Sequence, residues 1–155
     1  MSARTVVRAV VDSNLLVSGI LGRRPRSHAG RLHRAILVRR FQLVISDYIL
    51  REVRDVLLSP EIQETGAPPE HVVDRIVAAL RLTGQVVPGS FEGDFAPNNP
   101  KDSPIVACAL EGDAGYVVTD DRALLDLGAR RLAAFRPVRI VYAKKFLELL
   151  DRGDA

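Results

Sequence analysis

The stretch Val6-Val7-Arg8-Ala9-Val10-Val11-Asp12-Ser13-Asn14 decides how this chain folds. Its apolar, β-branched body suits a strand buried on both faces, as in a parallel sheet. Asp12 ends the run, and Ser13 or Asn14 is placed to cap the helix that Leu15-Leu16-Val17 begins. Open α/β sheets bind ligands in the crevice at the carboxyl ends of their strands. A carboxylate there is either a helix cap or a site residue. The other acidic positions decide between the two, according to whether they share its edge.

Working outward, a short helix over 15–21 ends at Gly22, and Arg23-Arg24-Pro25-Arg26 makes a basic turn near the Asp12 edge. A helix over 27–38 turns Leu32, Ala35 and Ile36 inward. Residues 41–45 form a second strand, after which Ser46 caps a helix with the apolar face Ile49, Leu50, Val53, Val56 and Leu57. Glu52 falls at the border of that face. Ser59-Pro60 stops the helix, and Pro68-Pro69 introduces another with Val72, Val73, Ile76, Val77 and Leu80 inward. A third strand over 85–87 leads into a Gly-, Pro- and Asn-rich loop over 88–100. Asp102-Ser103-Pro104 then opens an apolar helix that ends at Gly112 or Gly115. A fourth strand, 116–119, closes on Asp120-Asp121, and a short helix, a fifth strand over 138–141 and a helix over 144–150 complete the chain. Strands alternating with helices predict right-handed crossovers and an α/β fold, with a parallel five-stranded sheet covered on both faces in three α/β/α layers. The strand over 6–12 is expected at its centre, within one domain spanning 1–155.

The composition narrows the classes. At 155 residues with 47% hydrophobic content, the chain can bury a full core without staples. Its single cysteine excludes an internal disulfide and fits a reducing compartment; Cys108, inside an apolar run, reads as a core residue. His28, His33 and His71 have no metal-ligand spacing, and no apolar segment is long enough to cross a bilayer. A cytoplasmic protein without membrane attachment is the expectation. Net charge is +3, but residues 1–54 carry eleven arginines against Asp12, Asp47 and Glu52, a local +8 that the remainder offsets with −5. An Arg-rich half on a small domain points to an anionic partner, phosphate backbones being the commonest.

Asp12 and Asp120-Asp121 follow strands and so share one sheet edge, while Asp102 opens the helix that feeds the fourth strand and Glu52 lies on the helix after the second. Taken singly, Asp102 is a helix-dipole partner worth about 0.3–1 kcal/mol, and Asp120 and Asp121 form a capped turn. Gathered in one cleft, these carboxylates would repel unless a hard divalent cation such as Mg²⁺ or Mn²⁺ neutralised them. Such a cation keeps waters that can attack a phosphodiester.

Four blocks carry a family resemblance: Val10-Val11-Asp12-Ser13-Asn14; Ile45-Ser46-Asp47 with Glu52; Asp102-Ser103-Pro104-Ile105; and Val118-Thr119-Asp120-Asp121-Arg122 with Leu124-Leu125. In this order and spacing the chain resembles the PIN-domain ribonucleases, most closely the toxin components of toxin–antitoxin pairs. The resemblance implies a Mg²⁺ site with Asp12, Glu52, Asp102 and Asp121 as the catalytic set, and Asp12, Asp102 and Asp121 on the metal. It further implies that Thr119 orients the cluster and Asn14 supports Asp12. Two positions depart from the pattern. Asp120 stands where many relatives have Gly, and is a further candidate metal ligand; Lys101 stands where relatives are often acidic, and is a candidate phosphate contact.

The function expected is a Mg²⁺-dependent endoribonuclease acting on single-stranded RNA, with Arg23, Arg24, Arg26 and Lys101 on the RNA backbone. A homodimer and a cognate antitoxin protein are what the resemblance implies for partners. One alternative is a catalytically weak PIN module that binds RNA or protein. The other is a phosphoaspartate protein. A dehalogenase-like phosphatase needs a second acid two positions after its nucleophile, where Asn14 stands. A receiver needs its acceptor after the third strand, where Val87-Pro88 stands.

Overall fold

The computed structural model describes residues 6–91, 102–130 and 138–155. Its centre is the parallel five-stranded sheet, in the order β3-β2-β1-β4-β5. The strands are β1 (Arg8–Val11), β2 (Gln42–Ser46), β3 (Gln85–Val87), β4 (Tyr116–Val118) and β5 (Arg139–Val141). Register follows from pairings such as Val10 with Val44 on one side and Val10 with Val117 on the other. Ala9, Val10 and Val11 are buried from both faces, as the uninterrupted apolar run requires. Val6 lies outside the strand and is 63% exposed, so β1 begins two residues later than the hydrophobic run suggests.

The helices are α1 (Ser13–Leu21), α2 (His28–Leu37), α3 (Asp47–Leu57), α4 (Pro60–Gln63), α5 (Glu70–Thr83), α6 (Ser103–Glu111), α7 (Arg122–Arg130) and α8 (Ala143–Arg152). α1 packs on α2 and α3, α3 on α5 and α2 on α8, while α6 lies against β1, β2 and β4. Helices therefore cover both faces of the sheet in the expected three-layer α/β/α arrangement. Gly22 ends α1 with φ +64, a left-handed conformation that glycine adopts without strain. Gly112 ends α6 for a different reason: a Cβ there would stand 2.3 Å from Val44 Cγ1. The missing side chain lets the helix approach the sheet.

Two expectations change in detail. α4 is an added turn of helix, started by Pro60 and too short to show a periodicity. Asp12, rather than Ser13 or Asn14, occupies the N-cap position of α1. Cys108 is a core residue as expected, and burial pushes its thiol up to about 12, with Ser46 pulling weakly the other way. The Lys101 reading lies outside the described residues. Among the described residues, no helix is long and apolar enough to cross a membrane.

Candidate active site

The strand order reverses beside β1: the chain moves outward through β2 and β3, then returns to place β4 on the other flank. Such a switch point opens a crevice at the carboxyl ends of the two central strands. Asp12 leaves β1 there, and Thr119-Asp120-Asp121 leave β4 beside it; the Asp12 N–H donates to the Val118 carbonyl at 2.9 Å.

Asp12 is 7% exposed, and although it holds the N-cap position of α1, its side chain makes no capping bond among the described residues. The carboxylate turns to the neighbouring strand end instead. Its Oδ2 accepts a 2.7 Å hydrogen bond from the Thr119 hydroxyl, and Oδ1 a long 3.4 Å one from Ser13. The Thr119 oxygen in turn accepts the Asp121 backbone N–H at 3.0 Å. One fully buried hydroxyl thus locks the Asp12 carboxylate to the backbone of Asp121. Among the described residues Asn14 makes no bond to Asp12; it is exposed on the first turn of α1, and Ser13 fills the supporting place.

Asp102 repeats the pattern: it is 9% exposed, sits at the N-cap of α6, and makes no side-chain capping bond among the described residues. Desolvation pushes its carboxyl above the ordinary 3.8, and the negative charges of Asp121, Asp12 and Glu52 push it further. Those couplings place Asp121, Asp12 and Glu52 within electrostatic reach of Asp102. Glu52 contributes a half-buried carboxylate whose Oε2 has no hydrogen-bond partner among the described residues. A buried oxygen without a partner is costly unless something absent from the chain satisfies it.

Asp121 and Asp120 behave differently from the buried pair. Asp121 is exposed, and its Oδ1 accepts the Ala123 N–H at 2.9 Å, holding the start of α7. Asp120 Oδ1 accepts the Ala143 N–H at 3.0 Å and ties the end of β4 to the start of α8. The turn reading of this pair therefore holds alongside any role in the cluster.

An all-oxygen donor set, mutual repulsion at Asp102 and the orphan Glu52 oxygen fit a hard divalent cation. Among the described residues no three acidic, His or Cys side chains stand close enough to grip an ion unaided. A cation held here would have to keep much of its water.

The basic turn lies alongside. Arg23 and Arg24 line a cleft of about 420 Å³ with Asp120 on its rim, and Arg26 is exposed on the same turn. Arg23 donates to the Thr65 hydroxyl and carbonyl. Arg31 and Arg40 engage Asp151, and Arg54 engages Glu70 and Asp74. Three arginines of the +8 half are therefore paired locally, while the turn 23–26 and Arg51 keep basic groups near the acidic edge. Sequence reading missed Ser13 and also Tyr48, whose hydroxyl is raised by desolvation and by the charges of Glu52 and Asp102. The i, i+4 spacing of Tyr48 and Glu52 on α3 was the available signal.

Residues 8–123 match the PIN domain family model. Among solved structures the fold is similar to PAE2754 from Pyrobaculum aerophilum, with a TM-score of 0.57 at 16% identity, over 94% of this chain and 90% of that one. No curated protein matches the chain.

Proposed function

The chain belongs to the PIN domain family, and from that premise we propose that it is a Mg²⁺-dependent endoribonuclease acting on single-stranded RNA. PIN domains are as a rule nucleases that use divalent metal ions. The observation that supports the finer reading is the Thr119 hydroxyl, which bonds the buried Asp12 carboxylate and the Asp121 backbone at the switch point, with Asp102 held raised by the charges of Asp121, Asp12 and Glu52.

In this reading Asp12, Asp102 and Asp121 hold the cation, directly or through water. When bound, Mg²⁺ supplies a Lewis acid at the scissile phosphate and lowers the pKa of nearby water. Thr119 keeps Asp12 aimed inward by donating to Oδ2 while fixing the Asp121 backbone. Glu52, whose Oε2 is free of other bonds among the described residues, would position a cation-held water or assist its proton transfer. Arg23, Arg24 and Arg26 lie along the route of the RNA backbone, with Lys101 as a further phosphate contact. Asp120, bonded to Ala143, retains a second oxygen for the same cluster.

The resemblance of the four sequence blocks supports a role as the toxin of a toxin–antitoxin pair. It brings with it a homodimer and a cognate antitoxin that covers the cleft, and the single cysteine supports a cytoplasmic location. A second reading, a weakly catalytic module that binds RNA or protein, is favoured by the absence of a tight three-ligand group among the described residues. Incubating the purified protein with labelled single-stranded RNA, with and without Mg²⁺, separates the two. Cleavage that requires the metal is the expected result; binding without cleavage in saturating Mg²⁺ overturns the nuclease reading.

A further inference from the structure

A cleft of about 550 Å³ opens between the start of α3, the start of α6 and the strand-end segment 88–91. Its size is that of a small-ligand site. Among the described aromatic side chains Tyr48, Phe91 and Tyr142 are exposed, at 39%, 44% and 47%, and the first two line this one cleft. Arg51 supplies a cation at its wall, the lining carboxylates Asp47 and Glu111 being engaged by Arg81 and by the 89–90 backbone, and Pro104, Ala107 and Cys108 give an apolar side. The segment bearing Phe91 is held firmly. The Glu111 carboxylate accepts the backbone N–H groups of Gly89 and Ser90, each at 3.0 Å, and the Ser90 hydroxyl at 2.6 Å. Gly89, at φ +79, makes the turn that this grip requires. Ordered backbone under an exposed ring is a poor arrangement for solubility alone and a good one for a stacking platform.

The cleft also adjoins the acidic edge. Tyr48 lines it and, on its other side, a second cleft with Glu52, while Ser103 follows Asp102 directly. Glu52 and Asp102 both act on Tyr48 electrostatically, so the cleft lies beside these two acids.

We propose that this cleft is a base-binding subsite: one unpaired nucleobase of single-stranded RNA enters between Tyr48 and Phe91, with the Arg51 guanidinium beside its flanking phosphate or its π-face. The proposal rests on RNA as the partner but not on cleavage. Aromatic rings stack on any base, so the subsite selects for unpaired bases rather than for sequence. A duplex, whose bases are already stacked, cannot fill it.

The chain contains no tryptophan, so Phe91→Trp installs a single reporter. Titrating that variant in EDTA with a single-stranded oligoribonucleotide should quench its emission, while an abasic strand of equal length should leave it unchanged. In the same background Tyr48→Leu should weaken binding about tenfold, the scale of one lost base stack. It should leave the slope of log affinity against log salt intact, because no phosphate contact is lost. Circular dichroism verifies that both exposed-site variants fold. Equal quenching by the abasic strand, or full affinity in Tyr48→Leu, overturns the subsite. Quenching confined to the base-bearing strand, in a protein that fails to cut with Mg²⁺, sustains the subsite and overturns the nuclease reading alone.

Discussion

Helices α2 and α3 begin on serines that cap them: Ser27 Oγ accepts the Gly30 N–H at 3.1 Å, and Ser46 Oγ the Ile49 N–H at 3.3 Å. Helices α1 and α6 begin on aspartates that leave their own helices uncapped. Asp is as good an N-cap as Ser, and forgoing a cap costs about 1 kcal/mol. The two serines are placed for folding. The two aspartates are buried at the mouth of the switch point, Asp102 against the charges of Asp121, Asp12 and Glu52, at some expense to folding. A side chain that declines the bond its position offers, in favour of a repulsive neighbourhood, marks where the fold yields to chemistry.

The sharpest break in that comparison is Asp12→Asn. Asn retains a carbonyl oxygen for the Thr119 hydroxyl but loses the charge that a hard cation requires. Mg²⁺-dependent cleavage should fall by more than about 100-fold, the upper end for residues that merely support a metal ligand. In EDTA the variant should melt at or above wild type, because a repulsive charge is gone. Cleavage rates and thermal melts with and without Mg²⁺ check both halves. Retained activity would return Asp12 to the class of Ser27.

Gly112→Ala tests the far end of α6. The added Cβ would press on Val44 Cγ1 and, at 3.0 Å, on Val87 Cγ1, both β-branched and closely packed. A loss of about 1–3 kcal/mol is expected from such overpacking, read as a lower denaturant midpoint at constant slope. Because α6 carries Asp102 at its start, the melting shift produced by Mg²⁺ should shrink as well. An unchanged midpoint would mean that α6 lies less tightly against the sheet than Gly112 implies.

Ser27→Ala sharpens the other side. It removes the cap of α2 and should cost about 1 kcal/mol. The melting shift produced by Mg²⁺ should stay at the wild-type value, since among the described residues the Ser27 hydroxyl bonds the Gly30 N–H and the Arg24 carbonyl and no site carboxylate. A changed Mg²⁺ response would blur the distinction between capping and site residues.

Most of the architecture was legible because local pattern and global fold agree. The buried run at β1, the capping Ser46 and the Pro-started α6 all stand where periodicity and turn chemistry put them. β2 was read one residue early because Phe41 is as apolar as a strand residue. In the structure it packs edge-on against Phe146, with centroids 5.0 Å apart, instead of joining the ladder. The acidic residues, their shared edge and, by resemblance, Thr119 as the orienting residue could be named from sequence, but the geometry of the bond could not. The Thr119–Asp12 bond spans 107 positions, and nothing local to Thr119 says that its hydroxyl turns toward β1. The Tyr48 and Phe91 cleft was illegible for the same reason, since topology alone brings 48, 91 and 104 together.

The smallest expected effect is the pH dependence of Asp102. Its carboxyl is raised in the fold, first by desolvation and then by Asp121, Asp12 and Glu52. Between the ordinary value of 3.8 and the raised one, the folded chain binds a proton that the unfolded chain has released. Stability from this group is therefore fully present below 3.8 and is lost as pH rises through the raised value. That direction is opposite to the usual carboxylate, which is depressed in the fold and stabilises as pH rises. Asp102→Asn keeps the side chain neutral at every pH and removes the slope. Melting in EDTA should then favour the variant over wild type at neutral pH, with the gap closing toward pH 4. Saturating Mg²⁺ should reverse the order, because the cation stabilises the ionised Asp102 that the variant lacks. A constant gap across the titration would mean that Asp102 feels neither its neighbours nor a bound cation, and would leave it an ordinary residue at the start of α6.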